Sequence, residues 1–429
     1  MGYISRLIVP LPTSIYDAGG YWNLSLLIHT QGLLNFGDSV RTYGYPLFVS
    51  TILGNGIWLK SIAINKVLDT QLILLVLSSS FAVLFLNRLV IAMGDRYRRW
   101  VGLIIMVMVM FNPLLLAHTR ELLTEILSTF LLTLLFVLVV HKQPGPLGLV
   151  AGLVTVVRPF HHHWFLLLLA LSFMVVMYIG RSKKIINSSW LIRVAKLYFI
   201  TLACFLLPVL LQYSFTYKMD RSIGITPKNK FIALHLSSST YTYKYETYVP
   251  GLKHTPDVWY QDLELKHKLS SCKGNLVTRS TCYLSVVPVI LRNTVIKIVG
   301  LFMNFEWSTY RYSLTNSWNS ALTYSMLVFI LYIIGTVGEL SHIINRIKSR
   351  RLGIVVNLVV FLLIQSYIFM YAAFTIPESR FVLPLYPVII ALGIEHLAKS
   401  SNKYILAIEA LVSIGVFIMV WKIISSALI

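Results

Sequence analysis

The chain has 429 residues, 57% of them hydrophobic and 12% charged, with 37 Lys and Arg against 16 Asp and Glu. A mean hydropathy of +0.74 excludes an ordinary soluble globule. The net charge of +21 would suggest nucleic acid in a soluble protein. Here the basic residues sit in short loops between apolar runs, so anionic membrane lipids are the expected partner and nucleic acid is not.

Residues 1–15 contain Pro10 and Pro12 and lack a long apolar core, so no cleavable signal peptide is predicted. Residues 1–60 read as a first external region carrying a rare acid, Asp17, in Tyr16-Asp17-Ala18-Gly19-Gly20-Tyr21-Trp22. From Trp22 to His29 the spacing is helical with mixed polarity, which suits a helix lying along the membrane surface. A second apolar piece begins at Gly44-Tyr45-Pro46-Leu47-Phe48 and meets Gly54-Asn55-Gly56 too soon to span comfortably. It is read as interfacial or re-entrant.

Crossing a bilayer core takes roughly 18 or more apolar residues. Residues 61–213 supply candidates near 64–86, 100–117, 121–141, 146–158, 162–180 and 194–213, of which 146–158 is short and Gly-rich. The stretch 214–317 is the sizeable aqueous region, although 284–304 within it is apolar and carries Arg292 and Lys297. There Tyr241, Tyr243 and Tyr245 alternate along a predicted strand, which either packs on the membrane-proximal surface or offers aromatic rings to a sugar. Cys272 and Cys282 in the same region suit a disulfide in an oxidising compartment, whereas Cys204 reads as a packing residue within a span. Residues 318–429 complete the bundle with spans near 318–338, 353–374, 380–397 and 404–426. The fold class is therefore an all-α polytopic membrane protein of about ten transmembrane helices, with interfacial helices in the first external loop and one large external loop.

Basic loops at 87–99, 181–196, 339–352 and 398–403 alternate with nearly charge-balanced connections. The positive-inside pattern assigns those loops to the cytoplasm and puts 16–60, 117–122, 158–162, 214–317 and 374–380 outside. Asp17, Glu121, Glu125, Arg158, Glu378 and Arg380 then share one membrane face, where charge is costly unless used. Glu121 and Glu125 fall on one helical face; Glu121, beside Arg120, is expected in water and Glu125 toward the bundle interior. Arg158 and Arg380 are candidate phosphate ligands, with Glu378 holding Arg380 in place. His161, His162 and His163 cannot all reach one ion, because consecutive helical residues point about 100° apart, and they read as interfacial anchors.

In order along the chain, Asp17, Tyr45-Pro46-Leu47, Thr124-Glu125 after Asn112-Pro113, Arg158-Pro159, and the run from Glu378 through Arg380 to Pro384 resemble the landmarks of the GT-C superfamily. These are integral-membrane glycosyltransferases that use polyprenyl-phosphate sugars. The resemblance covers roughly residues 15–180 and 370–400, and the region 214–317 lies outside it. It implies inverting hexosyl or pentosyl transfer to a cell-surface glycan or lipid acceptor, at the outer face of a bacterial inner membrane. Asp17 would be the base, and Glu125, Arg158, Glu378, Arg380 and Tyr45 would bind substrate. Two features depart from the family: residues 1–15 do not supply its usual first span, and Asp17 has no neighbouring carboxylate before Asp38. The second leaves the cofactor open between none and a divalent cation, Mg or Mn. Two other functions fit a basic, aromatic-rich polytopic chain. One is a polysaccharide polymerase or ligase using pyrophosphate-linked oligosaccharides. The other is a polysaccharide or lipid transporter, which would need ionisable groups near the bilayer centre.

Overall fold

A computed structural model describes residues 16–38, 41–54, 60–89, 95–182, 187–221, 223–225, 239–241, 260–261, 297–302, 318–348, 354–374 and 379–399, together with scattered positions in 285–294 and 411–418. The described elements are helical apart from one short antiparallel pair, Ser239–Tyr241 with Tyr260–Gln261. Five described helices are long and apolar enough to cross a membrane: Lys60–Leu86, His161–Tyr178, Ser188–Asp220, Thr323–Ile344 and Val356–Ala373. These match five of the ten expected spans. Of the others, 404–426 lies largely outside the described residues, the apolar stretch 284–304 is described only in part, and Tyr243, Tyr245, Cys272, Cys282 and Glu378 lie outside.

Four expected spans are instead short or broken, and local chemistry bears on each. The run 100–117 divides into α4 (Asp95–Met110) and α5 (Pro113–His118). Pro113 cannot continue a helix from behind, but it suits a first helical position. Asn112 caps the new helix, its Oδ1 accepting from the backbone N–H groups of Leu114 at 2.9 Å and Leu115 at 3.0 Å. Residues 119–124 are then non-helical, so the next helix, α6, begins only at Glu125 and ends at His141. The short helix α7 (Pro144–Val157) starts with proline at its first position and stops at Arg158, which is extended. The run 380–397 enters through two 3-10 turns, Ser379–Phe381 and Leu383–Leu385, before the helix Tyr386–Lys399.

The chain divides into two compact units. The first comprises 1–227, 335–366 and 384–398. Its elements before the break are α1 (Tyr16–Gln31), α2 (Gly44–Leu53) and α3 (Lys60–Leu89). After α7 come α8 (His161–Ser182) and α9 (Ser188–Asp220). Helix α7 lies against α9 through Gly148 and Gly152, four apart and so on one face. A methyl group on Gly152 would stand 2.5 Å from the carbonyl oxygen of Phe205 and from Pro208, and one on Gly148 would overlap the carbonyl of Thr201. Small residues on one face are what let two membrane helices approach backbone to backbone. The same end of α7 receives α2, because a side chain at Gly44 would collide with the backbone of Val156. Tyr43 fastens this junction to α9: its N–H donates to Gln212 Oε1 at 3.1 Å and its hydroxyl to the Pro208 carbonyl at 3.0 Å. Leu24, Ile28, Phe36, Tyr43, Val156 and Phe215 close over it as one apolar cluster. The net result is that α1, through Leu24 and Ile28, and the start of α2 are pinned near the end of α7, where Arg158 emerges.

The second unit comprises 228–334, 367–383 and 399–429. Its described core is aromatic. Phe302 stacks on Tyr332 with centroids 5.3 Å apart, and Tyr371 stacks on Phe381 at 5.2 Å. The Tyr367 hydroxyl donates to the Phe381 carbonyl at 2.8 Å, fixing the turn that carries Arg380.

Candidate functional site

The first turn of α1 holds Asp17, a position where the exposed N–H groups of a helix favour negative charge. Asp17 is half exposed and pairs with Arg41, Nη2 to Oδ1 at 2.7 Å. Arg41 reaches it across 24 residues because the turn at Gly32–Phe36 reverses the chain after α1. The same guanidinium also faces Asp38 Oδ2 at 3.8 Å, and Asp38 accepts the Arg41 backbone N–H. So Asp17 does not stand alone: two carboxylates distant in sequence share one arginine. Tyr21, one turn along α1, lies under that guanidinium at 5.4 Å and meets Tyr45 edge-on at 5.1 Å.

Tyr45 leads to the buried layer. Its hydroxyl donates to Gln71 Oε1 at 3.1 Å, and Gln71 Nε2 donates to the carbonyls of Thr119 at 3.2 Å and Glu121 at 2.7 Å. Gln71, on α3, thus satisfies backbone that the break before α6 leaves without helical partners. Glu121 is 1% exposed rather than in water, with its Oε2 2.7 Å from His118 Nδ1. The helix break accounts for this change, because it turns residues 114–119 and 121–129 inward, with only Arg120 between them partly exposed.

Glu125 opens α6 and is 2% exposed. Its Oε1 takes Arg158 Nη2 at 2.6 Å, while Arg158 Nε donates to Thr124 Oγ1 at 2.9 Å. Glu125 Oε2 accepts no hydrogen bond from the described residues. The sequence expectation that Glu125 faces the bundle interior holds, but its partner across 33 residues was not foreseen. The electrostatics tie both ion pairs together. Burial raises the hydroxyl pKa of Tyr21 first, Asp17 and Glu125 raise it further, and Arg41 and Arg158 oppose them. Tyr45 is likewise raised, by burial and then by Glu125, Tyr21 and Glu121.

Asp17, Tyr45, Glu125 and Arg158 are therefore gathered in the first unit. Arg380 belongs to the second, where its guanidinium lies over the Phe381 ring at 5.2 Å. Sequence reasoning missed Arg41, Tyr21 and Gln71; the signal available was a run of helical spacing that puts Tyr21 one turn after Asp17. The histidine run also differs from an anchoring role. His161 and His162 are buried, with His161 Nδ1 3.1 Å from the Arg158 carbonyl and His162 Nε2 2.7 Å from the Tyr213 hydroxyl. For Mg or Mn the fit is poor: no group of three or more His, Cys, Asp or Glu is assembled among the described residues, and Arg41 occupies the space that Asp17 and Asp38 face. Compared with known proteins, the chain matches no family model, no curated sequence and no solved structure.

Proposed function

We propose that the chain is a membrane glycosyltransferase of the GT-C kind, moving a sugar from a polyprenyl-phosphate donor to a cell-surface glycan or lipid acceptor at the outer membrane face. What carries the reading is the convergence of Asp17 with the buried Glu125–Arg158 pair around Tyr21 and Tyr45. A half-exposed carboxylate beside a dry, charged wall suits a base that must meet an incoming hydroxyl. Asp17 takes the acceptor's proton as the acceptor oxygen attacks the sugar's anomeric carbon. The bond from that carbon to the phosphate oxygen breaks, and its electron pair leaves with the lipid phosphate. Attack opposite the leaving group inverts the anomeric centre. Arg158 is engaged by Glu125 and Thr124, so a phosphate reaches it by exchange with the Glu125 carboxylate.

The test is release of polyprenyl phosphate by the purified protein from a panel of polyprenyl-phosphate hexoses and pentoses. Asp17→Asn is expected to lower release by about 10²-fold or more. Undiminished release from that variant would remove the base assignment. A transporter is the second reading, favoured by the non-helical, mostly buried stretch 119–124 with its carboxylate Glu121, since broken helices mark many transport sites. Glycan translocation without lipid phosphate release would select it.

A further inference from the structure

The seat of Arg41 is built around a missing side chain. A methyl group on Gly20 would stand 2.5 Å from Arg41 Cζ, 2.8 Å from Nη2 and 2.9 Å from Nε, so the guanidinium lies directly against the backbone of α1. Tyr21 supports it from one side, and Asp17 and Asp38 hold it by charge. Its Nε is buried and makes no hydrogen bond with the described residues. A guanidinium wedged so closely has little rotational freedom, and whatever it grips is fixed with it. Asp17 is gripped by one arm of the fork, so its other oxygen faces a direction set by Arg41. Asp38 keeps the arginine anchored when Asp17 becomes neutral on taking a proton, because its charge remains.

We propose that Arg41 is the positioning residue for Asp17 and that Gly20 defines its seat. This rests on Asp17 being the base of the transfer reaction. Gly20→Ala separates geometry from chemistry. It leaves every charge in place, and the atoms it displaces are the far end of a flexible side chain, so the fold tolerates it while the guanidinium moves. A displacement of about 1 Å at a reacting group costs on the order of 10²-fold in rate.

The experiment measures kcat and KM for polyprenyl phosphate release by full-length wild type, Gly20→Ala, Arg41→Lys, Arg41→Ala and Asp17→Asn. The expected pattern is a fall in kcat of about 10- to 100-fold in Gly20→Ala and Arg41→Ala at nearly unchanged KM, with partial recovery in Arg41→Lys. Normal kcat in Gly20→Ala and Arg41→Ala, with Asp17→Asn inactive, would overturn the positioning role and leave the base assignment standing. Full activity in Asp17→Asn would overturn the base assignment and the positioning role with it. Loss of folded protein in Arg41→Ala leaves Gly20→Ala to decide, by the same kcat criterion.

Discussion

Removing one charge from the Glu125–Arg158 pair should damage the protein more than removing both. In Arg158→Gln, Glu125 stays 2% exposed and loses the partner held at 2.6 Å. Stranding a buried charge in this way typically costs about 3–5 kcal/mol. Thr124 also loses the charged donor that met its hydroxyl at 2.9 Å, a charge-assisted bond whose loss is counted within that range. The double variant Glu125→Gln with Arg158→Gln removes the stranded charge and restores an amide pair of similar size, so most of the loss should return. The assay is equilibrium unfolding of wild type, Arg158→Gln, Glu125→Gln and the double variant in one detergent, followed by tryptophan fluorescence. Expected is a single-variant loss near 4 kcal/mol, with the double at least about 2 kcal/mol more stable than Arg158→Gln. If the two losses simply add, the carboxylate and guanidinium do not depend on one another and the paired reading of this wall is wrong.

Three more perturbations address the scaffold. Gln71→Leu leaves the carbonyls of Thr119 and Glu121 and the Tyr45 hydroxyl without their partner, and should cost about 2–4 kcal/mol by unfolding; a loss below about 1 kcal/mol would show that other groups hold the break. Gly152→Val drives a branched side chain into the Phe205 carbonyl and Pro208, and should lower the unfolding midpoint far more than Leu153→Val, whose side chain is 36% exposed. Tyr43, held by burial to a pKa of about 12, should contribute stability below its ordinary value of 10.0 that is lost as pH rises from there toward 12. Tyr43→Phe should remove that alkaline loss, seen as a flatter stability profile above pH 10.

The long spans were legible because unbroken apolar runs leave a hydrophobic helix few alternatives in a membrane, as at 194–213 within α9. The rarity of acids singled out Asp17 and Glu125 for the same reason. What the sequence hid were partners brought in by chain reversal. Arg41 meets Asp17 through a three-residue turn, and Arg158 meets Glu125 through the packing of α7 beside α6, and neither spacing has a sequence signature. The break before α6 was a different matter. Asn112-Pro113 carries both a cap and a helix interruption, but the apolar residues 114–117 disguise it as continuous span.

That break argues for use rather than accident. A straight helix through 100–141 would satisfy its own backbone at no cost in side chains. Instead, residues 119–124 are unwound and all but Arg120 are buried, and Gln71 is committed to two of their carbonyls. The benefit of the arrangement is positional. Unwinding swings Thr124 and Glu125 to the start of a new helix, where Arg158 can meet both, and brings Glu121 against His118 in the same layer. A bundle that holds a non-helical stretch and three buried charges at one level, beside the half-exposed Asp17, has arranged polar groups where hydrocarbon would be cheaper. Ionisable groups held inside a membrane bundle at such cost mark a functional site more often than packing alone, which is what the proposed transfer site requires.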